Sequence, residues 1–176
     1  MSYWSKSGGL TAAVALAAAV FACVARGGVV EPACTGKALE GVFSAELGSA
    51  GAGQISYALR LRNRSADACF VTGVPGLRLL DRSGRPLPSP VVPAFPGAGT
   101  AVRVVLAPGA AAVATARFSP DVPGPGEQVE GPCERRAYRV RVTLPAAGLV
   151  VPVRPPTPIC EHGRMVLSVL TAAKHA

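Results

Sequence analysis

Residues 54–81 read QISYALRLRNRSADACFVTGVPGLRLLD, and their polar and apolar positions predict three short elements. Ile55, Tyr57, Leu59 and Leu61 alternate with Ser56, Ala58, Arg60 and Arg62, the period of two of a strand with one face on a core and one in water. Residues 63–67 gather turn formers, because Asn and Asp bond their own backbone and tolerate left-handed geometry, so the strand stops there. Cys69, Phe70 and Val71 make a second apolar run, the GVPG sequence at 73–76 a second turn, and Leu77, Leu79 and Leu80 a third strand ending at the DRSG turn, 81–84. Short strands at close, regular spacing point to an all-β sandwich or barrel.

The rest of the chain repeats this pattern. Residues 39–47 read as a first strand and 48–53 as a flexible turn. Residues 85–99 contain Pro86, Pro88, Pro90, Pro93 and Pro96, which remove backbone donors and leave an extended loop or an edge. Val102, Val104 and Leu106 alternate with Arg103 and Val105. Residues 110–118 carry alanines that would suit a helix, but Pro108-Gly109 and Ser119-Pro120 bound the run tightly, and Val113 and Thr115 favour strand. Residues 119–132 form a Pro, Gly and acid-rich loop. Tyr138, Val140, Val142 and Leu144 then face one way and Arg139, Arg141 and Thr143 the other. Residues 149–153 read as a short edge-like strand, 154–158 as extended, and 164–170 as the closing element. About eight or nine strands result, with no amphipathic helix and no internal repeat.

Composition adds a leader and a compartment. Residues 1–30 begin with a short polar stretch holding Lys6, pass through an Ala-dominated apolar run and reach Ala22-Cys23, which resembles an export signal. The run is shorter than the ~18–20 residues that cross a bilayer. Val20-Phe21-Ala22-Cys23 is similar to a bacterial lipobox, apart from Phe21 where a small residue is usual; lipidation of Cys23 and ordinary cleavage near Ala22, Ala25 or Gly28 both fit. Residues 31–176 form the predicted β-sandwich domain, large enough to bury roughly 68–70% of its unfolded surface. The formal charge of +8 falls by two without Lys6 and Arg26, and Arg outnumbers Lys, so basic partners are disfavoured. Five cysteines suit one in the leader plus two disulfides formed in an oxidising compartment. Cys34, Cys69, Cys133 and Cys160 allow three pairings; Cys34–Cys69 with Cys133–Cys160 is favoured because each ties segments adjacent in sequence.

An ordered set of small motifs also carries a resemblance. Cys34-Thr35, Asn63-x-Ser65 ahead of Cys69, Gly73-x-Pro75-Gly76 followed by Leu79, Leu80, Asp81 and Gly84, then Leu106-x-Pro108-Gly109, Leu144-Pro145 and Cys160 resemble the secreted bacterial family catalogued as domain of unknown function 4232. The resemblance implies an immunoglobulin-like antiparallel β-sandwich in exported, often lipid-anchored actinobacterial proteins with no assigned activity. Val74 stands where the family usually has an aromatic residue and Phe118 where it often has Trp.

Chemistry is sparse. The CEHGRM sequence at 160–165 invites comparison with blue-copper loops, which take Cys, His and Met from one segment. The spacing is too tight, the second histidine, His175, sits in the tail, and Cys160 is better used in a disulfide, so no metal and no cofactor is expected. A hydrolase needs a nucleophile, a base and a group to orient it; no G-x-S-x-G elbow is present and His162 stands alone, so no enzyme is expected. Arg60, Arg62, Arg139 and Arg141 would form one polyanion-binding face if their strands share a sheet, against the plainer reading of a solvated face whose Arg stems cover apolar surface. Nucleic acid is excluded by the export signal and by the lack of base-stacking aromatics. Phe95 reads as a plug under the proline-rich loop in preference to an exposed sugar-binding anchor, and the Asn63-Arg64-Ser65 sequon as a turn. The expectation is a non-catalytic binding or structural module, secreted or held at the outer face of the cytoplasmic membrane. The sequence does not name its ligand; anionic envelope polymers and another envelope protein are the candidate partners.

Overall fold

The structure, a computed structural model, describes residues 1, 30–95 and 102–174; Cys23, His175 and the leader lie outside them, apart from Met1 and Val30. β1 (Leu39–Ala45) and β2 (Ile55–Asn63) form an antiparallel hairpin across the glycine-rich turn. β3 (Cys69–Val71) pairs with β6 (Val104–Leu106) in a separate two-stranded ribbon. β4 (Gly76–Leu80), β5 (Val91–Pro93), β7 (Ala111–Phe118), β8 (Ala137–Leu144), β9 (Ala147–Thr157) and β10 (Met165–Leu167) complete the order β4-β8-β9-β1-β2-β7-β10-β5, with β11 (Thr171–Ala172) also on β7. The chain is nearly all β, as its alternation predicts, and the proline-rich segment supplies the edge strand β5.

Three expectations about the strands are corrected. The main sheet is mixed: β9 runs parallel to β1 at Phe43–Val153 and Ser44–Arg154, and β10 parallel to β5, so the immunoglobulin-like description holds only approximately. The contact with β1 is short because Pro155 and Pro156 offer no N–H to extend it. β9 is also no edge. It spans eleven residues and lies between β8 and β1. Finally, Ala137 and not Tyr138 enters the core: the β8–β9 register is interrupted between Ala137–Thr157 and Arg139–Pro152, where β9 runs through residues 153–156 without pairing to β8, so the simple alternation of β8 does not extend back past Arg139.

The inward positions of these strands meet in one core. Tyr57, Leu59 and Leu61 of β2, Leu77 and Leu79 of β4, Ala112, Ala114 and Ala116 of β7, Val140 and Val142 of β8 and Met165 and Leu167 of β10 are all buried there. Truncating one of the leucines to alanine costs about 2–5 kcal/mol. Phe43, Tyr57 and Phe118 fill its widest part, with ring centroids 5.1–6.5 Å apart. Tyr57 Oη donates to Pro155 O at 2.9 Å, and its burial pushes the phenol up from its ordinary value. Asn63 is fully buried at the corner after β2. Its Nδ2 donates to Asp67 O and Leu106 O, while Oδ1 accepts from the Ser65 N–H and hydroxyl. The sequon amide is therefore the fastening of a turn. Phe95 is 72% exposed and is no plug. The Ala94 N–H still bonds Leu167 O just past β5, which leaves the phenyl ring outside the sheet.

Candidate functional site

The arginines fall into two groups. Between β2, with Arg60 and Arg62, and β8, with Arg139 and Arg141, lie β9 and β1, a separation of roughly 14 Å at ~4.8 Å per strand. On the β2 side Arg62 is engaged: Nη1 lies 3.3 Å from Glu40 Oε1, and Nε donates to Gly109 O at 3.0 Å. Arg60 lines a shallow groove with Glu40, Gly41, Val42 and Arg62.

The β8 side is denser than the sequence reading foresaw. Arg78 of β4 stands directly opposite Arg141 of β8, and Arg139 follows on the same face. Arg82 and Arg85, from the turn after β4, and Arg136, from the approach to β8, are exposed nearby. None of these six has a carboxylate within ion-pair distance among the described residues. The guanidinium of Arg82 lies 5.0 Å over the ring of Tyr138, the residue that alternation had placed inside, and Arg139 donates to Arg82 O. Arg135 alone is paired, with Asp81 Oδ2 at 3.1 Å. Asp81 is held by the Ser83 hydroxyl at 2.7 Å and the Arg85 N–H at 2.9 Å. The Ser83 hydrogen bond foremost, with the Arg85 N–H and Arg135 beside it, keeps the carboxyl below its ordinary range despite burial.

Arg135 and Arg136 also border a cleft of about 570 Å³ between the 124–136 loop and the one-turn segment Cys160–Gly163. Glu161, His162 and Gly163 there all have left-handed φ, of 55°, 55° and 77°. This turns successive N–H groups inward, and they converge on Glu127. Its Oε2 accepts from Gly124 N at 2.6 Å and Glu161 N at 2.8 Å, and its Oε1 accepts from His162 N. Burial pushes the Glu127 carboxyl up, but these three N–H groups and the nearby His162 together leave it below the ordinary carboxylate range. Such a nest of backbone dipoles is a standard anion cradle, here filled by the chain's own carboxylate. The spacing of Glu127 in the sequence carried no signal of this, because two of the three converging N–H groups come from 34 and 35 residues downstream.

Both favoured disulfide pairings are present. Cys34–Cys69 fastens the entry segment to β3, and Cys133–Cys160 closes the back of the cleft, with Cα separations of 4.9 and 5.5 Å. Among the described residues no helix is long and apolar enough to cross a membrane.

Comparison with known proteins finds no matching curated protein and no matching solved structure. The model of the family described as Domain of unknown function (DUF4232) matches residues 34–170, which takes in both disulfides, the arginine face and the cleft, and the chain belongs to that family.

Proposed function

We propose that the protein is a non-catalytic, exported module that binds anionic envelope polymers through the outer face of β4 and β8. The observation that carries this is the Arg78–Arg141 pair, two like charges directly opposite one another with Arg139 beside them. Such a pair costs stability, about 0.2–1 kcal/mol, and an anion bridging the two forks would remove that cost. Arg presents five donors in a planar fork matched to phosphate and carboxylate. Two disulfides support folding in an oxidising compartment. For the non-catalytic part, the ring of His162 contacts Pro125 O and the Glu127 carboxylate, which three backbone N–H groups already hold, and the neighbouring cysteines are joined to each other.

The test compares two triple variants of equal charge, R78A/R139A/R141A and R60A/R62A/R64A, on an anionic polymer matrix across a salt gradient. The first should elute at clearly lower salt than the second, since exposed contacts are screened within a Debye length of ~8–10 Å. Coincident elution of the two would refute the assignment to β4 and β8. A single Arg78→Glu change should weaken retention and yet raise the urea midpoint, because it converts a repulsive pair into an attractive one.

A further inference from the structure

At the mouth of the cleft, one imidazole and two carboxylates come together in a way the arginine face does not explain. His162, Glu127 and Glu134 each offer one donor atom, and these atoms lie within 4.8 Å of one another. The imidazole is fixed from behind. His162 Nε2 is 3.1 Å from Pro125 O, and because a carbonyl only accepts, Nε2 carries the proton. Nδ1 therefore keeps its lone pair in the neutral ring, and it faces Glu127 Oε1 at 3.6 Å.

Glu127 is equally constrained. A carboxylate has about four lone-pair directions; Gly124 and Glu161 occupy two on Oε2 and His162 N–H one on Oε1. The open direction belongs to Oε1, the oxygen that faces the ring, and the side chain is only 2% exposed. Two acceptors thus face each other and need a positive charge between them. That charge is a second proton on the imidazole or a metal cation. With bonds of about 2.0–2.1 Å, an ion joining atoms 3.6 Å apart subtends an angle of roughly 120°, about 10° wider than tetrahedral, which a small approach of the two atoms would close. A metal also employs Glu134, which has no ion pair among the described residues. A ring N–H donated to a backbone carbonyl is, moreover, the outer contact that metal-binding histidines make.

We propose that His162, Glu127 and Glu134 bind a divalent transition ion of the zinc type, with solvent completing the coordination. Arg135 borders the cleft, but its guanidinium is paired with Asp81. The site is independent of anion binding by β4 and β8.

The experiment titrates the full chain, in a Cys23→Ser background that removes the one cysteine outside the disulfides, with Co²⁺ followed by visible absorption and with Zn²⁺ by calorimetry. One equivalent should bind, with Zn²⁺ displacing Co²⁺. H162Q and E134Q should each weaken it by at least about tenfold, and H175A should leave it unchanged. Circular dichroism and non-reduced mass identify any variant that has lost its fold, and the two substitutions, His162→Gln and Glu134→Gln, give independent readings. No uptake, uptake indifferent to H162Q, or uptake lost with H175A would each overturn the site. So would His162 imidazole NMR resonances that do not move on addition of Zn²⁺.

Discussion

At Asp81 one carboxylate closes a turn and orients an arginine. Oδ1 accepts from the Ser83 hydroxyl and the Arg85 N–H, and Oδ2 from Arg135. The folded carboxyl is therefore held below its ordinary value of 3.8. A group depressed in this way adds stability that is present above the ordinary value and is lost as pH falls through the folded one. Asp81→Asn should accordingly lower the urea midpoint at neutral pH, and the gap from the native protein should close on acidification below 3.8; a gap constant with pH would contradict the assignment. At this scale the sequence was partly legible. The outward parity of Arg139 and Arg141 follows from simple alternation. Arg78 was hidden because Leu80 breaks the pattern, being buried although it lies opposite Arg139 and outside the core cluster.

Among the elements, the left-handed turn after Ile159 has the clearest physical requirement. Gly163 combines a φ of 77° with a site where a Cβ would lie 1.9 Å from Pro88 O, whereas Gly126, with a φ of 83°, opens onto free space. Alanine at either position carries the left-handed penalty of about 1–2 kcal/mol. Gly163→Ala must in addition push the 88–89 backbone away. It should therefore lower the urea midpoint well beyond Gly126→Ala, and equal losses would mean that the turn relaxes without cost. The 160–165 segment illustrates how element-scale reading fails. Its residues suggest a ligand loop when read along the chain, yet the partners of His162 come from 125–134, brought over by the loop and by Cys133–Cys160.

For the molecule as a whole, the disulfides close loops of 35 and 27 residues, each worth roughly 3–4 kcal/mol through restriction of the unfolded chain. Cys34→Ser/Cys69→Ser should lose about that much in urea unfolding while circular dichroism remains dominated by strand. A loss below about 1 kcal/mol would assign the entry segment's hold to its backbone bonds with Phe70. Those bonds are real: Cys34 N donates to Phe70 O, and Phe70 N to Pro32 O, each at 2.9 Å. Neither the charge of +8 nor the arginine count decides function at this scale, because roughly 14 Å of sheet separates β2 from β8.

Alternation, turn chemistry and proline placement determined most of the strands, most of their inward residues and the all-β class, since each depends on neighbours within a few positions of the chain. The cysteine pairing was legible for the same reason: the bridges join adjacent segments. Which strands lie side by side, the parallel turn of β9 onto β1, the broken β8–β9 register beside Tyr138 and the convergence on Glu127 were settled only by the tertiary structure. They depend on backbone groups far apart in sequence finding hydrogen-bond partners in space, and local pattern carries no record of that.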